Sequence, residues 1–260
     1  MPSSYTNTKR KRVRSGRLTK QQRRLRHIIN FVIAALALVT IASVVQSIRA
    51  GKPATDGPRH FPYGSIDQLT DPKRFQQAYL EANGDRRTLQ NTHSMRVTGQ
   101  VVSSEDTQAF TLIKKRPDHM RISFASGAYE LTFGVSGGRV WRRIRSSGQQ
   151  EHVAEVEGPE AQQWLAQRHF FDPVTRAILG DSRITAIQAS TWEARACLRV
   201  TTVDADDVSV DSLIDPHSMH SIVLLQTQPD GTIKETALSD YREVGGIWVA
   251  FVAQQSSNGQ

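Results

Sequence analysis

Ten short runs of alternating apolar and polar residues leave this chain few folds. "MRVTGQVV" (95–102), "AFTLIKKR" (109–116), "MRISFAS" (120–126), "YELTFGV" (129–135) and "RVWRRIR" (139–145) come first. After a gap follow "ACLRVTTV" (196–203), "VSVDSLID" (208–215), "SIVLLQTQ" (221–228), "IKETALSDYR" (233–242) and "IWVAFVAQ" (247–254). A period of two sends successive side chains to opposite faces, so each run predicts a strand with one face turned inward. The separators SSEDT, PDH, GA and SGG, and Pro229-Asp230-Gly231 later on, have hairpin length and composition. Consecutive strands joined this way pair as antiparallel neighbours. The expectation is a mainly β, α+β unit: a single curled antiparallel sheet of about ten strands.

Two stretches read as helices. Asp71 is an N-cap with Pro72 at the first helical position, and "FQQAYLEANG" ends at Asn83-Gly84, a natural stop. Residues 158–180, "GPEAQQWLAQRHFFDPVTRAILG", read as a helix, a break at Asp172-Pro173 and a second short helix ending at Gly180. This insert is unusually apolar for a connection. The helices are what the sheet has to curl around.

The formal charge of +8 suggests a polyanion partner, but its distribution does not. Residues 1–27 hold ten Lys or Arg and no acid, which leaves 23 cations against 25 anions elsewhere. The remainder is near neutral, so nucleic acid is not an expected partner. Residues 28–48 (IINFVIAALALVTIASVVQSI) carry no charge. A helix of that length spans about 31 Å, close to the roughly 30 Å hydrocarbon core of a bilayer. The basic tail places the N-terminus in the cytoplasm and the bulk of the chain outside. A cleaved signal peptide is the competitor, but Ile48-Arg49-Ala50 is a poor cleavage site and no lipobox cysteine follows. The expected organisation is a basic cytoplasmic tail (1–27), a transmembrane signal-anchor helix (28–48), a Pro- and Gly-rich linker (49–70) and a folded domain (71–260). A lone Cys197 cannot form an internal disulfide and reads as a small core residue.

Motifs that carry chemistry are weak. Gly134-Val135-Ser136-Gly137-Gly138 fits G-x-S-x-G, but a strand follows it instead of the helix that a nucleophile elbow needs. His217-Ser218-Met219-His220 beside Asp215 reads as a turn before it reads as a metal site. Asp204, Asp206 and Asp207 lack calcium-loop spacing and read as a solvated turn. No phosphate loop or dinucleotide fingerprint is present. The chain is expected not to be an enzyme and to need no cofactor or metal. The aromatic supply is what remains: Phe110, Phe124, Phe133, Trp141 and Trp248 on strands, Trp164, Phe170 and Phe171 on the insert. Most must form core. A curled sheet covered by the insert also leaves room for a cavity, and ligand sites sit in the mouths of such barrels.

"IKKRPDHMRISF", followed about 20 residues on by "GVSGGRVWR", resembles the LolA/LolB-like lipoprotein-carrier superfamily. "FQQAYLEANG", "LIDPHSM" and "LSDYREVGGIWVAFV" add to the likeness, which covers about 72–256. The resemblance implies an incomplete antiparallel β-barrel closed by short helices, with an apolar cavity for lipid or lipoprotein acyl chains. It implies that Arg116, in the K-R-P stretch, contacts the covering helices, and that Trp141 takes the place of the family's hairpin tryptophan. With the aromatics above and Ile178, these form the expected cavity and lid set. The chain departs from the family in its retained anchor and in Ile247-Trp248-Val249-Ala250, where many relatives place a proline. The expected protein is a single-pass bacterial inner-membrane protein with a periplasmic lipid-binding half-barrel. The alternative is a scaffold module of the same fold in an envelope complex, with another envelope protein as partner. If Trp164, Phe170 and Phe171 rim a cavity the first reading gains; if they fill a core, the second does.

Overall fold

The computed structural model describes residues 63, 65–102, 107–126, 129–148, 150–228 and 231–258. The basic tail, the anchor segment 28–48 and most of the linker lie outside them. Among the described residues, no helix is long and apolar enough to cross a membrane.

Twelve strands form two six-stranded antiparallel sheets in place of the single ten-stranded sheet expected. The first sheet holds β1 (Ser94–Val102), β2 (Thr107–Lys115), β3 (His119–Ser126), β4 (Tyr129–Ser136), β5 (Arg139–Ser146) and β6 (His152–Val156), in chain order. The second holds β7 (Arg183–Trp192), β8 (Arg195–Val203), β9 (Ser209–Ile214), β10 (Ser221–Thr227), β11 (Ile233–Val244) and β12 (Ile247–Asn258), again paired only with chain neighbours. No closed barrel forms among the described residues: the ladder stops at β6, where the helical insert carries the chain away, and a new one starts at β7. Two-residue turns with both residues at positive φ join three of the hairpins. They are Gly137-Gly138, Gly245-Gly246 and, without glycine, Glu193-Ala194. Positive φ at both positions matches the right-handed twist of the flanking strands.

Two of the helices start at the caps the sequence predicts, Asp71 and Asp172. In α1 (Pro72–Asn83), Asp71 Oδ1 accepts from the N–H groups of Lys73 and Arg74 at 3.1 and 2.9 Å. α2 (Arg86–Asn91) is capped by Asp85. The insert gives α3 (Gly158–Ala166) and α4 (Pro173–Leu179); Asp172 Oδ1 accepts from Val174 and Thr175 N–H at 3.0 Å, and Gly180 closes α4 in the left-handed region. The fold begins before Asp71. A 3₁₀ turn, Gln68–Thr70, buries Leu69 to 1% exposure under α1.

Each sheet has its own core. The first is made by the inward rows of β1–β6, such as Val97–Leu112–Ile122–Phe133, and is covered by Ala161 and Trp164 of α3. The second sets α1, Leu69 and α4 residues Val174 and Ile178 against Leu198, Val200 and Ile214 of β8 and β9. Burial of a large aliphatic or aromatic side chain contributes roughly 1.5–3 kcal/mol, so each core accounts for much of its own sheet's stability. On the opposite face of the second sheet, Cys197, Leu213 and Val223 make a small cluster, so Cys197 is the buried hydrophobe its surroundings suggest.

Candidate functional site

A cleft of about 1460 Å³ opens between the insert and the second sheet. One wall is α3 and the α3–α4 connection, with Trp164, Leu165 and Phe171. The other is the inward face of β9–β12, where strand alternation and register bring Val210, Leu224, Gln226, Lys234, Thr236 and Gln255 together. Trp164 also packs into the core of the first sheet. Its indole stacks on Phe133 with centroids 4.0 Å apart and planes at 22°. Trp164 is thus core on one side and cleft wall on the other.

A polar clasp holds the insert in place at one end of this cleft. Lys114 points into the apolar face of the first sheet because it shares the parity of Phe110 and Leu112. Its ammonium, buried, donates to the His169 carbonyl at 2.6 Å. Burial, and then the nearby Arg176, pulls its pKa down to about 7. Arg168 pairs with Asp206 at 2.9 Å and Arg176 with Asp204 at 3.7 Å, tying the connection to the β8–β9 turn. Asp204 Oδ1 organises that turn by accepting from the Asp206 and Val208 N–H groups, each at 3.0 Å.

His169 Nε2 lies 3.5 Å from Asp204, yet its pKa is pushed down to about 4. Burial and three surrounding cations outweigh the single carboxylate, so the imidazole is neutral and the contact is not an ion pair. His169, Asp204 and Asp206 bring donor atoms within 4.8 Å of one another. Arg168, Arg176 and Lys114 crowd the same space, and this positive surround opposes a metal ion.

The sequence-selected residues divide between places. Trp164 and Phe171 line the cleft. Arg116 sits beside it: its guanidinium lies 5.6 Å from the Phe171 ring centroid, Nη1 donates to the Gln90 carbonyl of α2 at 3.2 Å, and Nη2 is 3.7 Å from Asp181, just past α4. Phe170 packs edge-on against Phe171, with centroids 4.8 Å apart. Phe110, Phe124 and Phe133 are buried in the first core and do not reach the cleft. Ile178 is buried in the second core. Trp141 is on the outer face of the first sheet, flat against Gly134, whose missing Cβ makes room for the indole. Trp248 packs near His220, which stacks on Tyr241 with centroids 4.2 Å apart. The aromatic set is therefore not one cavity lining. Alternation assigns a residue to a face of a strand but does not say whether that face is filled.

Ser136 ends β4 and bonds His119 Nδ1 at 2.9 Å. The pair is exposed, β5 follows the turn, and among the described residues no third group orients the imidazole, as nucleophile activation requires. Asp215 accepts from His217 N–H and the Ser218 hydroxyl, so that stretch is a turn. Sequence reasoning missed Lys114 and Lys234. Both were legible as cations sharing a face with apolar residues: Lys114 with Phe110 and Leu112, Lys234 with Leu238.

No protein-family model and no curated protein matches the chain. Solved structures of similar arrangement include two crystal structures. One is a DUF1329 family protein from Desulfovibrio piger, 9% identical with a TM-score of 0.46, the match covering 68% of this chain and 82% of that one. The other is a LolA superfamily protein from Nitrosomonas europaea, 10% identical with a TM-score of 0.45, covering 69% and 84% respectively.

Proposed function

We propose that this chain is a membrane-tethered, non-enzymatic binding protein that holds the acyl chains of a lipid or lipoprotein in the cleft between its insert and its second sheet. The cleft carries the reading: about 1460 Å³, with Trp164, Leu165, Phe171, Val210 and Leu224 on its walls. That exceeds the roughly 300–1,000 Å³ of sites for drug-sized ligands. Each CH₂ of an acyl chain that these apolar walls bury fully is worth about 0.8 kcal/mol. The K-R-P hairpin and the other sequence motifs support the same reading, as does Arg116 packed on Phe171 at the insert. The charge-free segment 28–48 is the proposed inner-membrane anchor, with the folded unit in the periplasm as an open half-barrel and the helices across its mouth.

The test is extraction. Full-length protein purified in non-ionic detergent is stripped with organic solvent, and the extract is compared by mass spectrometry with that of a Val210→Phe/Leu224→Trp variant that fills the cleft. Stoichiometric lipid in the first and little in the second is expected. No enrichment in the first, or equal amounts in both, refutes the proposal. A second reading, an interaction module in an envelope complex, is favoured by the closed packing of the first sheet around Trp164.

A further inference from the structure

We propose that the cleft selects an amphiphile with an anionic head group, and that Lys234 on β11 is the residue that pairs with it. The inference rests on the cleft being an amphiphile site and adds the sign and position of the head group.

Lys234 sits on the cleft floor, opposite Gln226 in register and next on that face to Thr236. Among the described residues, the other lysines and arginines that are not exposed have partners: Lys114 the His169 carbonyl, Arg116 Asp181, Arg142 Glu160, Arg143 Glu130, Arg168 Asp206, Arg176 Asp204 and Arg199 Asp211. Lys234 is half-buried and has neither an ion pair nor a hydrogen bond with a described residue. Burial alone brings its pKa down to about 8, with no carboxylate opposing the shift, so the ammonium is still mainly charged at neutral pH. A partly desolvated cation with no counter-ion among the described residues is costly, and an incoming anion removes that cost.

The acids across the cleft do not supply the charge. Asp204 and Asp206 are held by arginines, Asp207 lies 3.8 Å from Arg183, Asp172 accepts from the Tyr79 hydroxyl and the first N–H groups of α4, and Asp118 is exposed at the turn after β2. Beside Lys234 the Gln255 side-chain oxygen is buried without a partner, so this amide also has unmet bonding capacity. Turned about its last bond, it presents N–H to an anion. From this polar spot the floor continues as Leu224 and Val210 and the opposite wall as Trp164 and Leu165. With Arg168 and Arg176 paired to aspartates, one remaining cation beside aliphatic and aromatic walls fits a long-chain carboxylate or a lipid phosphate. A free phosphate is better matched by a cluster of backbone N–H donors.

The probe is a photoactivatable C16 carboxylate, set against the alcohol of the same chain, on the full-length protein in non-ionic detergent. Labelled peptides are mapped by mass spectrometry. The carboxylate is expected to label cleft peptides with roughly tenfold or greater preference over the alcohol, a preference that Lys234→Met abolishes and Lys234→Arg keeps. Met keeps the apolar stem and removes a buried charge, so folding survives; Gln255→Leu is a second variant expected to lower carboxylate labelling alone. Equal labelling by acid and alcohol, or an unchanged preference in Lys234→Met, overturns the head-group assignment and leaves the amphiphile reading standing. Absence of cleft labelling by either probe overturns both. Displacement of the carboxylate by millimolar inorganic phosphate alone assigns the site to a free anion and also overturns the proposal.

Discussion

Lys114 is a buried lysine whose ammonium donates to the His169 carbonyl. Its folded-state pKa, about 7, lies below the usual lysine value of 10.5. Between those values the unfolded chain binds more protons than the folded one, so stability should rise with pH from about 7 towards 10.5. Lys114→Met should flatten that rise, as read from urea unfolding at several pH values; a wild-type curve flat over this window would contradict it. His220 gives the complementary case in acid. Buried beside Tyr241, it has a pKa pushed down to about 4 against an ordinary 6.5. The unfolded chain therefore takes up the extra proton, and stability falls as pH drops from 6.5 to 4. His220→Phe keeps the stack and should reduce the fall; His169, also near 4, retains its own share. Strand parity with Phe110 and Leu112 held the signal that aims Lys114 inward, although the sequence reading did not use it. What the alternation could not supply was its partner, the His169 carbonyl, which is 55 residues away.

Among elements, the caps and hairpins were the most legible. Asp71-Pro72, Asp172-Pro173 and Gly180 mark helix ends by local chemistry, and each does so here. Two strands were not legible, for different reasons. β6 is five residues long, with Val153 59% exposed, so it shows little alternation. β7 carries a register shift between Ile184 and Ala186, which puts its apolar residues out of step with a period of two. Without those strands the break between sheets was invisible, and ten runs read as one sheet. The β4–β5 pair makes a prediction of its own. Gly134→Val places a side chain inside the Trp141 indole, so it should destabilise by about 1–3 kcal/mol. Trp141→Ala in the same chain should recover part of that loss. A double-mutant cycle in urea measures the coupling, and additive losses would count against the contact.

For the molecule as a whole, Trp164 joins the two halves. It caps the first core and walls the cleft that borders the second sheet. Trp164→Ala should cost about 3–5 kcal/mol by denaturant unfolding, and lipid retention should fall with it. Loss of stability with full lipid retention would show that the residue serves the core alone. The cleft itself was only half legible, because Trp164 and Phe171 come from the insert and Leu224, Lys234 and Gln255 from strands far along the chain.

The strand order has a consequence for how the chain is made. Every ladder of the first sheet is complete by Val156, so that half can assemble while the rest is still being synthesised. Pairing neighbours in sequence keeps its loops short and its assembly fast. α1 is made earlier still but must wait. It docks through Asn83, whose amide donates to the Met219 carbonyl 136 residues later. α1 is thus among the last elements of the folded unit to settle, and until then its apolar face stays open to a chaperone.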